Sequence, residues 1–207
     1  MTAGRGVVHS ERTDATVRAA AATMHGMQAR VALPVEHEDD TPFFAHHGED
    51  DLPSDRQGGL MTRLIAGTAF GTAAKVRTHS PLFYVHWDME AGVTGGVSAD
   101  HPERAAYVAR GSVEIDHIVI RTGQMAVLKR GGSVPLKALE PSTVMVLWAA
   151  SAVGQRILWW NFVSSNQERI DAAKADWKAG RMRMPPADNA EFIPMPENPP
   201  PPPQQRS

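Results

Sequence analysis

A repeated β-strand signal across residues 61–163 constrains the fold of this chain more than any other feature. Residues 82–90 alternate strictly, with Phe83, Val85, Trp87 and Met89 on one face and polar side chains on the other. This alternation is typical of a strand that buries one face and exposes the other.

Further strand candidates follow along the chain and are separated by turns. We predict them at residues 64–66, 105–109, 112–120, 124–128, 133–138, 144–149 and 157–163. Clusters such as Arg130-Gly131-Gly132 mark the turns between them. Many short strands at regular spacing indicate an all-β sandwich or barrel.

One helix is predicted after the β region. Ser165 and Glu168 have the spacing of a capping box, in which each side chain accepts a hydrogen bond from the other residue's backbone. Ile170 and Trp177 then share one face, and Gly180 is suited to the position just past the helix end. We expect this helix to dock on the rest of the protein and to carry no chemistry.

Composition and charge exclude several classes of function. The 21 Lys+Arg against 23 Asp+Glu give a formal charge of −2, which argues against direct nucleic-acid binding. The absence of cysteine excludes disulfides, thiolate metal sites and cysteine nucleophiles. Apolar runs such as residues 144–150 are too short to span a membrane, and residues 1–11 lack a signal-peptide segment. We therefore expect a cytoplasmic protein.

The main candidate for chemistry is a His-x-Glu pair. His9 and Glu11 are two residues apart, so on a strand their side chains lie on one face, a few ångströms from each other. A neutral imidazole and a carboxylate together suit Fe(II), Mn(II) or Zn(II). Taken alone, such pairs are frequent by chance, and an ordinary surface pair is the simpler interpretation.

Four motifs together resemble the pirin family, a bicupin group. The stretch of residues 1–11, Met-Thr-Ala-Gly-Arg-Gly-Val-Val-His-Ser-Glu, is similar to the second metal-binding motif of that family. The other three are His25-Gly26-Met27-Gln28, Arg63-Leu64-Ile65-Ala66-Gly67 and Trp160-Asn161-Phe162-Val163-Ser164-Ser165. The resemblance covers essentially everything before the proline tail, and the combination is specific to the family.

The resemblance implies an all-β double-stranded β-helix, the RmlC-like jelly roll of cupins, with one complete C-terminal barrel and a partial N-terminal cupin. The expected parts are a remnant of the N-terminal cupin domain in 1–34, an acidic interdomain linker in 35–60, the C-terminal cupin domain in 61–164, a helix in 165–184 and a Pro-rich tail in 185–207.

The same resemblance implies that the chain is truncated within its first barrel. Residues 27–33 alternate loosely and are predicted to be one of the strands that remain there. Strands without partners would be frayed, packed on the second barrel or paired with another copy as a homodimer. In the tail, Pro199 to Pro203 favour polyproline II without tertiary contacts.

In the pirin family the last His and the Glu of a three-His, one-Glu iron site correspond to His9 and Glu11. Glu11 would also be the catalytic base toward a flavonol substrate. The first two ligands come from a His-x-His motif that no segment of this chain supplies, and the adjacent His46 and His47 would point to opposite faces. The resemblance thus implies Fe(II), or another divalent metal such as Mn or Zn, bound weakly or not at all.

The second barrel is expected to have no metal site. By the spacing of the cupin motifs, Val97, Ala99 and Val134 stand where ligand histidines would be, near Glu103, while His101 is out of frame. A single Glu among apolar neighbours cannot complete a metal's ligand set.

Four other polar residues are predicted to have no role in chemistry. We interpret His79, His86 and His117 as surface or hydrogen-bonded histidines. Arg30 stands where an apolar residue is expected, so it should be exposed or paired.

Three functions follow from these observations. The first is a quercetin 2,3-dioxygenase-like enzyme that is impaired by the missing His-x-His. The second is a regulatory protein without catalysis that binds transcription factors or metabolic enzymes, and the third is a truncated protein with no active site.

Overall fold

The computed structural model describes residues 1–13, 15–21, 23–99, 102–149 and 154–197. They belong to two compact units, one formed by Met1–Phe44 with Val153–Ser207 and the other by Ala45–Ala152. His101 and the polyproline segment predicted at 199–203 lie outside the described residues.

The described part of the unit Ala45–Ala152 contains eleven strands, preceded by a 3-10 turn at Glu49–Asp51. They are β1 (Ser54–Gln57), β2 (Leu60–Ala69), β3 (Thr72–Ala73), β4 (Leu82–Met89), β5 (Thr94–Val97), β6 (Glu103–Arg110), β7 (Ser112–Ile115), β8 (Ile118–Arg121), β9 (Met125–Leu128), β10 (Val134–Ala138) and β11 (Ser142–Ala149).

These strands form two antiparallel sheets. The larger has the order β1-β2-β4-β11-β6-β9, with β3 also paired to β2, and the smaller has the order β5-β10-β7-β8. Buried side chains from both sheets form one hydrophobic cluster, so the sheets pack face to face around a shared core. The predicted all-β sandwich or barrel is confirmed.

Strand β4 lies inside the larger sheet, and its alternation is as predicted. Phe83, Val85, Trp87 and Met89 are buried, and the residues between them are partly exposed. Strand β11 pairs with one edge of β4 along the whole length of β4, and β2 pairs with the other edge of β4. Burial of each large apolar side chain contributes about 1.5–3 kcal/mol, so this strand is a major source of the unit's stability.

A glycine is required where β2 bends over β4. The register shifts between Leu64 and Ala66, and Gly67 follows with a φ of +79°. A Cβ at Gly67 would lie 1.7 Å from the backbone oxygen of Leu82. No other residue therefore fits this position without displacing β4.

The described part of the other unit contains less regular structure. Its elements are the helix α1 (Ala15–Ala19), a 3-10 turn at Val35–His37, the strands β12 (Ile157–Trp159) and β13 (Phe162–Ser164), and the helix α2 (Gln167–Lys178). Among the described residues of both units, no helix is long and apolar enough to cross a membrane.

Two segments predicted as single strands are hairpins. Residues 112–120 turn back at Asp116 and His117, which have φ values of +49° and +63°. Residues 157–163 turn back at Trp160, with a φ of +52°. Two-residue hairpin turns favour Asn-Gly or Asp-Gly, and neither pair occurs here, so the turns carried no recognisable sequence signal.

The strand predicted at 27–33 is wrong, because residues 23–34 have no regular secondary structure. Met24 is 80% exposed and Val31 is 58% exposed. A strand forms only where a neighbour satisfies its backbone groups, and none of the described strands pairs with this segment. Nearer the start, Thr2 pairs with Phe43 in an isolated antiparallel bridge.

Helix α2 begins one residue later than the capping box predicted. Asn166 is the N-cap, and its side chain accepts a hydrogen bond from the Glu168 N–H at 2.7 Å. The Ser165 side chain is oriented instead toward the Glu38 carboxylate, to which its hydroxyl donates at 3.0 Å. Ile170 is buried and Gly180 has a φ of +64°, as expected for a helix that docks and then ends.

The start of the predicted tail contacts helix α2. Residues 185–197 contain no helix or strand, but the Trp177 indole N–H donates to the Ile193 oxygen at 3.1 Å. The rings of Trp177 and Phe192 meet edge to face, with centroids 5.9 Å apart. These contacts order a segment whose composition alone indicates disorder.

A buried carboxylate ties helix α2 to the earlier part of its unit. Glu38 is 7% exposed and accepts hydrogen bonds from Ser164 and Ser165, with Arg156 Nε at 2.8 Å and Arg169 NH1 at 3.8 Å. Burial raises the pKa of Glu38, but the bonds from Ser165 and Ser164 and the charge of Arg156 outweigh it and hold this pKa below 4.5. The ionised form is therefore the stabilising one.

We expect Glu38→Gln to lower the free energy of unfolding by about 3 kcal/mol at pH 7, because it leaves the Arg156 guanidinium buried without its counter-charge. Since the folded-state pKa lies below 4.5, the carboxylate's contribution is complete above that pH and is lost as the pH falls through the folded-state value. Urea unfolding of wild type and variant at pH 7 and pH 3 measures both effects. The exposed Glu36→Gln is the matched control and should change stability by less than about 0.5 kcal/mol.

Candidate functional site

The side chains of His9 and Glu11 lie close together, although not on a strand. His9 Nδ1 is 3.9 Å from Glu11 Oε1, and the two side chains are 44% and 71% exposed. Residues 6–13 have no regular secondary structure, so the strand assumed for this pair does not form. The imidazole and the carboxylate are still next to each other, and both are exposed to solvent.

Gln28 supports this pair and was not assigned a role from the sequence. Its side-chain amide donates to Glu11 Oε1 at 3.1 Å. The signal that could have identified it is the His25-Gly26-Met27-Gln28 motif, which the sequence analysis used only for the family resemblance. Next to Glu11, Arg12 pairs with Asp188 and, at 3.0 Å, with Glu191.

The pair fits part of a divalent-metal site. One imidazole and one carboxylate are suitable ligands for a first-row metal, but a complete site takes at least three protein ligands. Within the described ranges, no group of three or more His, Cys, Asp or Glu side chains is placed to hold a metal ion. His9 and Glu11 can therefore supply two ligands and do not form a site by themselves.

In the unit Ala45–Ala152, the positions that the cupin spacing assigns to histidine ligands hold apolar residues. Two of these positions are neighbours on paired strands. Val97 on β5 is the register partner of Val134 on β10, and Val97 is 2% exposed. Glu103 is half exposed, and its Oε1 lies 3.7 Å from Arg130 NH2. Val97 and Val134 thus present hydrocarbon at two of the three assigned histidine positions, and the third residue, Ala99, is exposed.

This barrel contains a cavity of about 650 Å³. Aromatic and aliphatic side chains form most of its wall, and the described residues that line it are all uncharged. The principal ones are Phe70, Phe83, Trp87, Val97, Val146 and Trp148. Phe83 and Trp148 stack with centroids 5.6 Å apart, so one side of the cavity is a continuous aromatic surface.

A buried arginine holds the backbone beside this cavity. Arg104 is 2% exposed and donates to the oxygens of Ser98 at 2.8 Å, Gly132 at 3.1 Å and Lys129. Ser98 is one of the lining residues, so Arg104 fixes part of the cavity wall. Arg104 lies on the inward face of β6, and this placement on an otherwise apolar face is the signal that could have found it.

A polar cluster lies on the outer face of β4. Thr143 Oγ1 donates to Asp88 Oδ1 at 2.6 Å, and His86 Nε2 lies 3.4 Å from the same oxygen. Burial raises the pKa of Asp88, but the bonds from Thr143 and His86 outweigh this and lower that pKa below its usual value. Arg30 is exposed and donates to Asn161 Oδ1 at 3.0 Å, as predicted.

The comparisons with known proteins agree with this architecture. The profile of the pirin C-terminal cupin domain matches residues 84–183. A quercetin 2,3-dioxygenase from Acinetobacter baumannii superposes with a TM-score of 0.73 at 21% identity, over 85% of this chain and 58% of that structure. The barrel is therefore a cupin.

Sequence relatives define the family. A pirin-like protein from Caulobacter vibrioides is 54% identical over 198 residues, which are 95% of this chain and 68% of the relative. The chain belongs to the pirin family, as its motifs predicted. A Pseudomonas aeruginosa protein provisionally named as a quercetin 2,3-dioxygenase is 31% identical over 185 residues, covering 88% of this chain but only 57% of that relative.

We expect Arg104→Lys to lower the free energy of unfolding by about 2–4 kcal/mol. A single ammonium cannot reach all the carbonyl oxygens that the guanidinium now bonds, those of Val97, Ser98, Gly132 and Lys129, so buried acceptors lose their partners. Urea unfolding followed by tryptophan fluorescence measures the change. Arg130→Lys, at a side chain that is 74% exposed, is the control, and equal midpoints for the two variants would contradict the role given to Arg104.

Proposed function

We propose that this chain is a pirin-type protein that binds a divalent metal, Fe(II) or another such as Mn or Zn, through His9 and Glu11. Its reaction class is the oxygenation of a quercetin-like flavonol, at low efficiency in the 207-residue form. The observation that carries the proposal is the 3.9 Å approach of His9 Nδ1 to Glu11 Oε1, with Gln28 bonded to the same carboxylate.

The side chains present suit binding and proton transfer. A divalent metal in such a site polarises a bound oxygen and favours its deprotonation. Glu11 accepts the Gln28 bond through one oxygen, and a carboxylate has further acceptor capacity for a proton or a metal. Gln28 would act as a positioning residue because it limits the rotation of the Glu11 carboxylate.

The low efficiency follows from the number of ligands. The 207 residues contain no His-x-His, which the family's site uses for its first two ligands. Loss of one supporting partner commonly reduces metal affinity about tenfold to a hundredfold, and loss of direct ligands costs more. Metal binding should therefore be weak and easily reversed by chelators.

The relatives support the same assignment at the level of reaction class. One carries a quercetin 2,3-dioxygenase name, and the chain spans 57% of its length. Within the family pattern, we assign residues 1–34 to the N-terminal cupin domain, 35–60 to the linker, 61–164 to the C-terminal cupin domain, 165–184 to the helix and 185–207 to the tail. We also assign the protein to the cytoplasm.

A regulatory protein without catalysis, which binds a protein partner, is the second candidate. The exposed apolar side chains of Met24, Val31 and Phe44 favour it, since such residues become buried on association. Metal binding without turnover would support this candidate over the first.

We expect His9→Ala to weaken Mn(II) binding at least tenfold, because it removes one of the two ligands. Equilibrium dialysis of the full chain followed by metal analysis measures the affinity. His25→Ala is the matched control, because His25 is exposed and is not part of the pair. Equal affinities of wild type and His9→Ala would refute the metal site.

We expect Glu11→Gln to abolish oxygen uptake with quercetin above the metal-only background, because the amide cannot accept a proton. The assay compares wild type, Glu11→Gln and the exposed control Glu36→Gln in excess Fe(II), using an oxygen electrode. A wild-type rate equal to that of Glu11→Gln, with metal bound, would reject the enzyme and leave the binding role.

A further inference from the structure

The geometry points to a second ligand site, inside the barrel of Ala45–Ala152, for a neutral planar aromatic molecule that carries a hydrogen-bond acceptor. The inference does not rest on the metal site, because none of the cavity-lining residues belongs to the His9–Glu11–Gln28 group. It rests on the shape of the cavity, an unpaired donor in its wall and a strained aromatic residue beside it.

The size and lining of the cavity define the ligand's shape and charge. About 650 Å³ lies within the range of small-molecule pockets, which is roughly 300–1,000 Å³. The wall contains the rings of Phe83, Trp87 and Trp148, and aromatic side chains are favourable contacts for another aromatic ring. Every described lining residue is uncharged, so an ion entering the cavity would lose its hydration without compensation.

Trp87 explains why the ligand should carry an acceptor. Its side chain lines the cavity and is 2% exposed, and its Nε1 has no hydrogen-bond partner among the described residues. The benzo edge of this indole packs on Gly95, where an added Cβ would lie 2.8 Å from Cζ3, so the N–H is on the edge away from Gly95. Nε1 is itself buried, and a buried donor without an acceptor costs about 1–3 kcal/mol. A ligand carbonyl or ether oxygen that reaches Nε1 when the groups covering it move would remove that cost.

The backbone of Phe70 is in a conformation that is unfavourable for a bulky residue, and the turn itself does not require phenylalanine. Phe70 and Gly71 form a two-residue turn between β2 and β3, with φ values of +51° and +73°. Such a turn favours Asn-Gly, and a bulky aromatic residue at positive φ is unusual. Phe70 is also 59% exposed, so its ring gains little from burial.

The position of Phe70 beside the cavity explains why a strained residue is kept there. It lines the cavity, and its ring centroid lies 6.5 Å from that of Trp87. A residue that is both exposed and part of the lining lies where the cavity meets solvent. Phe70 is thus placed to cover one face of an aromatic ligand that enters beside Trp87, and the strain is retained for binding.

The test uses flavone, which is neutral, planar and carries a carbonyl acceptor, with the full chain kept metal-free by chelator. Isothermal titration should give one flavone per chain. Phe70→Asn should weaken binding about tenfold while leaving the unfolding midpoint equal or higher, because Asn suits the turn. Trp87→Phe should weaken binding about fivefold through loss of the N–H donor. The anionic 2-naphthoate should bind at least tenfold more weakly than the neutral 2-naphthamide, which keeps the same ring and a carbonyl acceptor.

The controls separate this site from the proposed metal site. Phe44→Ala removes a phenyl ring that is 74% exposed and should leave flavone binding unchanged. The double variant His9→Ala/Glu11→Gln should also bind flavone as wild type does. Absence of flavone binding, equal binding by wild type and Phe70→Asn, or loss of binding in the His9/Glu11 double variant would each overturn the inference, and none of these outcomes in metal-free protein bears on metal affinity.

Discussion

The pairing of strand β4 with both its neighbours is the constraint on which the rest of the barrel depends. Its inward side chains Phe83, Val85, Trp87 and Met89 belong to the core, and the hydrogen bonds to β2 and β11 fix which face they occupy. A shift of one residue would turn all four toward solvent. Because Phe83 and Trp87 also line the cavity, the register that stabilises the fold is the register that shapes the ligand site.

Most of the barrel could be predicted from the sequence because a period of two in polarity is a local property. The turns at Asp116–His117 and Trp160 could not, since these residues take the left-handed conformation without a glycine to indicate it. The cap of helix α2 was misplaced for a different reason. Ser165 has the right spacing, but its hydroxyl is oriented toward Glu38, which is 127 residues away, and Asn166 caps the helix. Long-range competition of this kind is not visible in a local motif.

The two candidate sites also differ in how much of each could be predicted from the sequence. The closeness of His9 and Glu11 followed from their spacing, and it is retained even though the predicted strand is absent. The cavity could not be predicted, because its wall combines strands from Gly67 to Trp148 that only the fold brings together. The inward position of Arg104 was visible in the alternation of β6, but its four carbonyl partners lie in other segments and gave no sequence signal.

The two units of the chain contain candidate binding sites of opposite polarity. An imidazole and a carboxylate in solvent attract a hydrated cation, whereas the described residues that line the barrel cavity are all uncharged. Desolvation makes the barrel cavity unfavourable for a metal ion, whereas the exposed His9 and Glu11 stay hydrated and are suited to bind one. Affinity for a metal and affinity for a neutral aromatic molecule are therefore set by separate residues, and a substitution at one of the two places should leave the other affinity unchanged.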